Sequence, residues 1–333
     1  MDLSEDELIL AISRVLSGDD PAVRLGIGDD AAVVAPGSGE LVLTTDLLVE
    51  GIHFERGSIS ARDLGAKAIT VNVSDIAAMG ASPRYALVAV ALTDDLDAPW
   101  AMELAGGMHE ACAEYALSLV GGDTNRADAI VLSVSVVGEV APGRAVPRSG
   151  ARPGDAIVVT GALGAAAGGL ALSRADAATA AHALSEPWGR QLLESLARPV
   201  ARVGEGQTLA AAGVTAMMDL SDGLAKDLAR LCGSSGVGAR IELAAVPIAP
   251  ALAAAAGPLG LDAVALALGG GEDYELLATI APERVPDMRA ELRDRFAVPL
   301  ASIGVIAERA DLLAIEADGH VSPLEPAGWD HFR

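Results

Sequence analysis

The chain has 333 residues, enough for two ordinary cores, and 51% of them are hydrophobic with only 3% aromatic, which suits helices laid on sheets better than an aromatic-rich sandwich. Its 46 acidic residues against 23 basic ones give a formal charge of −23, which repels phosphate backbones and anionic lipid and so argues against nucleic-acid and membrane partners; the same acidity serves solubility or gathers divalent cations. No apolar run approaches the ~20 residues of a membrane helix, the start MDLSEDELILAISRVL lacks the basic n-region of a signal peptide, and Cys112 and Cys232 lie outside any C-x-x-C spacing, so a cytoplasmic chain with two reduced structural thiols is expected.

Ser4 and Glu7 form a capping-box pattern ahead of Leu8, Ile9, Ile12, Val15 and Leu16 at helical spacing, which predicts a helix over 4–16. After a Gly/Asp turn, AAVVAP and ELVLTTD read as strands, and SARDLGAKAITVNVSDIAAMG reads as a long helix closed by Gly80. YALVAVAL is a strand, PWAMELAGGMHEACAEYA a helix, LSLVGGDTN a strand that breaks into a glycine turn, and AIVLSVSVVGEV an alternating strand. Pro, Gly and Arg concentrate in APGRAVPRSGARPGD, which places a domain boundary near residue 150, giving domains 1–149 and 150–333. In the second, AIVVTG opens a mixture of helices near 188–197, 202–212, 222–232 and 283–296 with strands near 214–218, 239–243, 274–280 and 300–306. There is no short-period repeat and no low-complexity linker.

Lys67 and Lys226 are the only lysines and neither follows a glycine, so no P-loop exists; the protein-kinase H-R-D and D-F-G are absent as well. Gly26, Gly28 and Ala31 satisfy G-x-G-x-x-A, but Asp29 and Asp30 would face a pyrophosphate and no helix pattern follows, which argues against a dinucleotide site. What recurs instead is an aspartate at the end of an apolar strand beside Gly, Ser or Thr: GIGDDAAV (Asp29, Asp30), LTTDLLVEGIHF (Thr44, Thr45, Asp46, His53), NVSDIAAMG (Asp75), VGGDTN (Asp123) and MDLSDGL (Asp219, Ser221, Asp222). Hard oxygen donors of this kind suit Mg²⁺, although any one aspartate equally serves a turn or an N-cap. Asp75 shares a helical stripe with Leu64, Ala68, Val71 and Met79, so its charge needs a partner: Arg84 or Lys67 in a salt bridge, or a metal. GGGEDYELL sets Glu272, Asp273 and Glu275 after three glycines, either as an acidic turn or as carboxylates facing a cationic or metal-bound ligand.

The ordered set GIGDDAAV, TTDLLVEGIHF, NVSDIAAMGASP, GGDTN, RAVPRSGARPGD, DLSDGL, GGGEDYEL and GWDHF, spread from about residue 24 to residue 332, resembles the thiamine-monophosphate kinase family. That family belongs to the aminoimidazole ribonucleotide synthetase-like superfamily. Its selenophosphate synthetases carry an early reactive Cys with a Lys, whereas the first Cys here is Cys112; its hydrogenase-maturation members end in a reactive Cys, whereas this chain ends WDHFR. The resemblance implies a two-domain fold with mixed sheets, an N-terminal α/β domain that pairs in a homodimer, and an ATP site at the cleft. It implies ATP-dependent phosphorylation of thiamine monophosphate to thiamine diphosphate with several Mg²⁺ ions and no general base. Carried over by position, it makes Asp30, Thr44, Thr45, Asp46, Asp75, Asp123, Asp219 and Asp222 the metal-binding set, Gly122, Arg148 and Ser221 the ATP contacts, and His53, Glu272 and Trp329 the contacts to thiamine monophosphate. One departure is Ala165 in GAAAGGL, where relatives often carry Asp. The alternatives are another ATP-dependent enzyme of the superfamily acting on a different phosphorylated or carboxylated small molecule, and a non-catalytic metal-binding protein. For Trp329, simple packing on a domain surface competes with stacking on the acceptor.

Overall fold

The structure, a computed structural model, describes residues 12, 14–16, 20–25, 33–34 and 36–329. Most of the helix expected over 4–16, together with Asp29, Asp30 and the final DHFR, lies outside the described residues. The chain divides into two compact units, Met1–Ile76 with Ala81–Arg144, and Ala77–Gly80 with Ala145–Arg333. Each is a mixed α/β assembly, as the strand and helix patterns imply.

In the first unit β1 (Val23–Leu25) and β2 (Val33–Val34) form a small antiparallel pair. The main sheet is built from β3 (Glu40–Val49), β4 (Ser82–Leu92), β5 (Ser118–Arg126) and β6 (Val131–Val140) in the order β3-β6-β4-β5, antiparallel except for the parallel pair β4/β5. Strand β6 alternates buried and half-buried residues along its whole length, so one face of the sheet is covered and the other is open. The covered side takes α1 (Ala61–Ala78), whose Ile69, Val73 and Ile76 are fully buried, and α2 (Ala98–Glu114) completes the unit. The open side carries Leu41, Leu43, Leu47 and Leu87, all exposed.

The segment GGDTN does not leave the sheet as a glycine turn; β5 runs unbroken through Asp123 to Arg126, paired with β4. The glycine serves a close approach instead of a turn, because a Cβ on Gly122 would fall 1.9 Å from the Val88 carbonyl oxygen.

The second unit holds a seven-stranded sheet. In chain order its strands are β7 (Ala156–Thr160), β8 (Ala216–Asp219), β9 (Gly238–Glu242), β10 (Leu276–Ile280), β11 (Leu300–Ala307), β12 (Leu312–Ile315) and β13 (Val321–Pro323), arranged β13-β12-β9-β11-β7-β10-β8. The helices are α3 (Ala165–Ser173), α4 (Ala177–Ser185), α5 (Pro187–Ala197), α6 (Val203–Ala212), α7 (Leu224–Ser235), α8 (Pro250–Leu259), α9 (Ala263–Gly269) and α10 (Val285–Phe296). Strand alternation divides two cores across this sheet. Ile157 and Val159 join Met218, Leu277 and the α7 residues Leu224, Leu228 and Leu231 on one face, while Val158 joins Met217, Leu276 and the α10 residues Met288 and Leu292 on the other. Because both faces are covered, β7 and β10 read as continuous apolar runs.

Candidate active site

Strand alternation sorts the TTD segment before any other contact is considered. Thr44 and Asp46 point to the covered face and Thr45 to the open one, where the Ser135 hydroxyl lies 3.0 Å from Thr45 Oγ1 and the Thr45 hydroxyl donates to the Val134 carbonyl. On the covered side, Thr44 Oγ1 donates to Asp75 Oδ2 at 2.5 Å, and the Asp46 amide donates to Asn72 Oδ1 at 2.8 Å. Asn72 and Asp75 are three residues apart, hence on one side of α1. Helix and strand edge thereby bring two carboxylates together. Asp46 as a residue is exposed, yet its carboxyl is pushed up to about 6, first by loss of water around it and second by the negative charge of Asp75.

Two neighbouring carboxylates, one raising the proton affinity of the other, with a threonine hydroxyl beside them, are a hard-oxygen donor set that a divalent cation satisfies, so these residues fit Mg²⁺. Among the described residues no group of three or more His, Cys, Asp or Glu side chains converges in a way that could hold a metal ion. Of the two salt-bridge partners foreseen for Asp75, Arg84 faces Glu139 at 4.0 Å.

Gly122 and Asp123 do not join this pair. Across the sheet Asp46, Val134, Val88 and Gly122 form one row, which sets Gly122 three strand spacings, about 14 Å, from Asp46. Asp123 belongs to the next row, on the open face.

His53 sits in a tight loop after β3. Its backbone N–H donates to the Val49 carbonyl at 2.9 Å and its Nδ1 accepts from the Val49 N–H at 3.0 Å, which fixes the ring in the loop. A clamp the sequence reading missed holds this loop. Arg56 donates to both oxygens of Glu50, at 2.7 and 2.8 Å, and to Asp95 at 2.7 Å, while Glu50 also accepts the Ile130 amide. The Arg56 hydrogen bonds draw the Glu50 carboxyl below its ordinary range.

In the second unit three separate segments meet. The Ser221 carbonyl accepts the Glu272 amide at 2.8 Å and the Leu220 carbonyl accepts the Tyr274 amide at 2.9 Å, while the Trp329 amide donates to the Asp222 carbonyl at 3.1 Å. Asp219 is buried at the end of β8; Ser221, Asp222 and Glu272 are half-buried beside it. Glu272 and Tyr274 both hold left-handed backbone, at φ 68° and 51°, a strain that persists only where surrounding contacts enforce it and that favours functional loops. Asp222 is already paired, with Arg230 at 2.6 Å and Lys226 at 3.3 Å.

Behind the loop lies Asp227, fully buried, whose Oδ2 accepts the amides of Asp222 and Gly223 and whose Oδ1 accepts from Arg230. Burial pushes its carboxyl above the ordinary range although the Asp222 amide and Arg230 pull the other way. Nothing but its place five residues after Asp222, in the first turn of a helix, marks it in the sequence.

Arg148 is exposed, and its carbonyl accepts from Ser235 in the last turn of α7, whereas Ser221 and Asp222 precede the first turn of that helix, about 18 Å away along its axis. The acidic run after the three glycines resolves into separate structural roles. Both oxygens of Asp273 accept the Gly164 amide at 2.9 Å, capping α3, and burial raises that carboxyl well above its ordinary value. Glu275 takes a bidentate pair from Arg202 at 2.9 and 2.5 Å and the Thr160 hydroxyl at 2.6 Å. A carboxylate thus stands at the N-terminus of α3 although position 165 is alanine.

Two mixed α/β units, with aspartates at strand ends in both, define the class of protein: residues 28–140 match the family AIR synthase related protein, N-terminal domain, and residues 152–314 match AIR synthase related protein, C-terminal domain. The chain is 38% identical over 317 residues to the thiamine-monophosphate kinase of Escherichia coli (strain K12), covering 93% of this chain and 92% of that one. Its structure is similar to that of thiamine-monophosphate kinase from Stenotrophomonas maltophilia K279a, with a TM-score of 0.82 and 35% identity over 97% of this chain and 99% of that one. It is also similar to AaThiL complexed with AMPPCP and TMP, with a TM-score of 0.76 and 34% identity over 100% and 99% of the two chains. The chain belongs to the thiamine-monophosphate kinase family.

Proposed function

We infer that this chain transfers the γ-phosphoryl group of ATP to thiamine monophosphate, giving ADP and thiamine diphosphate, with Mg²⁺ held at the Asp46–Asp75 pair. The observation that carries the metal assignment is that pair itself, two carboxylates beside the Thr44 hydroxyl in a member of this kinase family. Asp219, Asp222, Asp30, Thr45 and Asp123 join the metal set by resemblance to the family alone, Thr45 and Asp123 standing on the face of the sheet opposite the pair. By the same resemblance Gly122, Arg148 and Ser221 contact ATP, and His53, Glu272 and Trp329 contact thiamine monophosphate.

The phosphate oxygen of thiamine monophosphate attacks the γ-phosphorus in line, the bond to the β,γ-bridging oxygen breaks, and the leaving oxygen departs on ADP. That attacking oxygen carries no proton near neutral pH, so none of these side chains is needed as a base. When bound, Mg²⁺ offsets the repulsion between the two anionic reactants. The chain's own part is positioning: His53 offers its imidazole from a clamped loop, Arg148 a fixed charge, and Trp329 an aromatic face for the acceptor's rings, with a cation–π contribution of ~0.5–2 kcal/mol from the thiazolium.

A homodimer accords with the open face of the first unit, where Leu41, Leu43, Leu47 and Leu87 make an apolar surface that water covers at a cost. A cytoplasmic location accords with two free, buried cysteines, whose thiols burial pushes up to about 12 (Cys112) and about 11 (Cys232), and with the absence among the described residues of any helix long and apolar enough to cross a membrane. Incubating the pure protein with ATP, Mg²⁺ and thiamine monophosphate is expected to give thiamine diphosphate and ADP in equal amounts. ADP without thiamine diphosphate, or turnover undiminished by a chelator, would overturn the reading.

A further inference from the structure

Lys226, one of two lysines in the chain, stands in the first turn of α7 with its side chain only 19% exposed. Its ammonium meets two acceptors, the Asp222 carboxylate at 3.3 Å and the main-chain carbonyl of Trp329. The Trp329 amide returns to the Asp222 carbonyl at 3.1 Å, so both backbone polar groups of this tryptophan are bound to the loop and helix start that carry Asp222. Gly328 makes the approach possible, because a Cβ there would fall 2.6 Å from the Asp222 carbonyl oxygen and 2.8 Å from Lys226 Cβ.

Asp222 does not need Lys226 for its charge, since Arg230 pairs with it at 2.6 Å. The second bond of Lys226 is the one to the Trp329 carbonyl. We propose that Lys226 is a positioning residue for the acceptor: it never touches the acceptor, but it pins Trp329, a residue 45% exposed, beside the loop bearing Asp219, Ser221 and Asp222. This rests on the reading that Trp329 covers the rings of thiamine monophosphate.

The test uses full-length protein with Trp100→Phe and Trp188→Phe, so that Trp329 is the sole indole emitter. Lys226→Met keeps the aliphatic stem and removes the charge. It is expected to raise the acrylamide quenching constant of Trp329 about twofold or more and the KM for thiamine monophosphate about fivefold, with kcat and the KM for ATP held within about twofold, and Lys226→Arg is expected to recover part of both effects. Gly328→Val, which pushes the same segment off the loop while leaving Lys226 intact, is expected to reproduce them if Lys226→Met fails to fold.

Unchanged quenching in both variants would overturn the proposal, as would a rise confined to the KM for ATP or to the Mg²⁺ requirement, which would make Lys226 a counter-ion of Asp222 only. Trp329→Ala with an unaltered KM for thiamine monophosphate would refute the acceptor reading separately, and with it any role for Lys226 in acceptor binding. If Trp329→Ala raises that KM while Lys226→Met leaves it unchanged, the acceptor reading stands and the positioning role falls.

Discussion

The Asp46 carboxyl is the residue whose chemistry is most exposed to test. Its value of about 6 lies above the ordinary 3.8, so between those two pH values the folded chain binds more protons than the unfolded one, and stability falls as pH rises through that window. Above it the favourable contribution is gone and the Asp46–Asp75 repulsion stands in full. Asp46→Asn is therefore expected to leave the melting temperature of metal-free protein at pH 7 equal to or above that of the parent, with the difference vanishing near pH 4, while turnover falls at least ~100-fold because a charged ligand is lost. Melting curves at the two pH values beside an assay at limiting Mg²⁺ check both halves. Near-normal turnover would remove Asp46 from the metal set, and a large drop in melting temperature would make it structural.

At the scale of elements, the second unit depends on carboxylates that tie one segment to another. Glu275, just before β10, holds Arg202 at the start of α6 and Thr160 at the end of β7. Removing one partner of a buried pair leaves the other charge stranded, which costs more than the pair contributes. Glu275→Ala is expected to destabilise the unit by about 3 kcal/mol, moderated because Arg202 keeps Glu205 at 3.6 Å. The urea midpoint checks this; an unmoved midpoint would show that Arg202 finds other partners. Helix α3 was illegible for a related reason. GAAAGGL has the composition of a loop, and burial of Ala166 and Leu172, together with the distant cap from Asp273, supplies what its glycines lack in helix propensity.

At the scale of the whole molecule, the open leucine face predicts association. Leu43 is 72% exposed on a strand whose neighbours on that face include Val137 and Leu41. Leu41→Glu with Leu43→Glu is expected to convert a dimer into a monomer in sedimentation equilibrium, with the far-UV circular dichroism unchanged. A wild-type chain already monomeric at micromolar concentration would sink the homodimer reading. The sequence by itself determined the two-unit mixed α/β architecture, the long helix bearing Asp75, the strand bearing Asp46, and the family, because apolar periodicity and short Asp/Gly motifs are local signals that survive without knowledge of the fold. What only the tertiary structure decided is which aspartates meet. Strand pairing put Asp46 beside Asp75 yet set Asp123 on the opposite edge and face, and it spent Asp273 on a helix cap and Glu275 on Arg202. Partners such as Asp227, Arg56 and Lys226 stayed hidden because a lone charge in a helix or loop reads the same whether it faces water or holds a neighbouring segment in place.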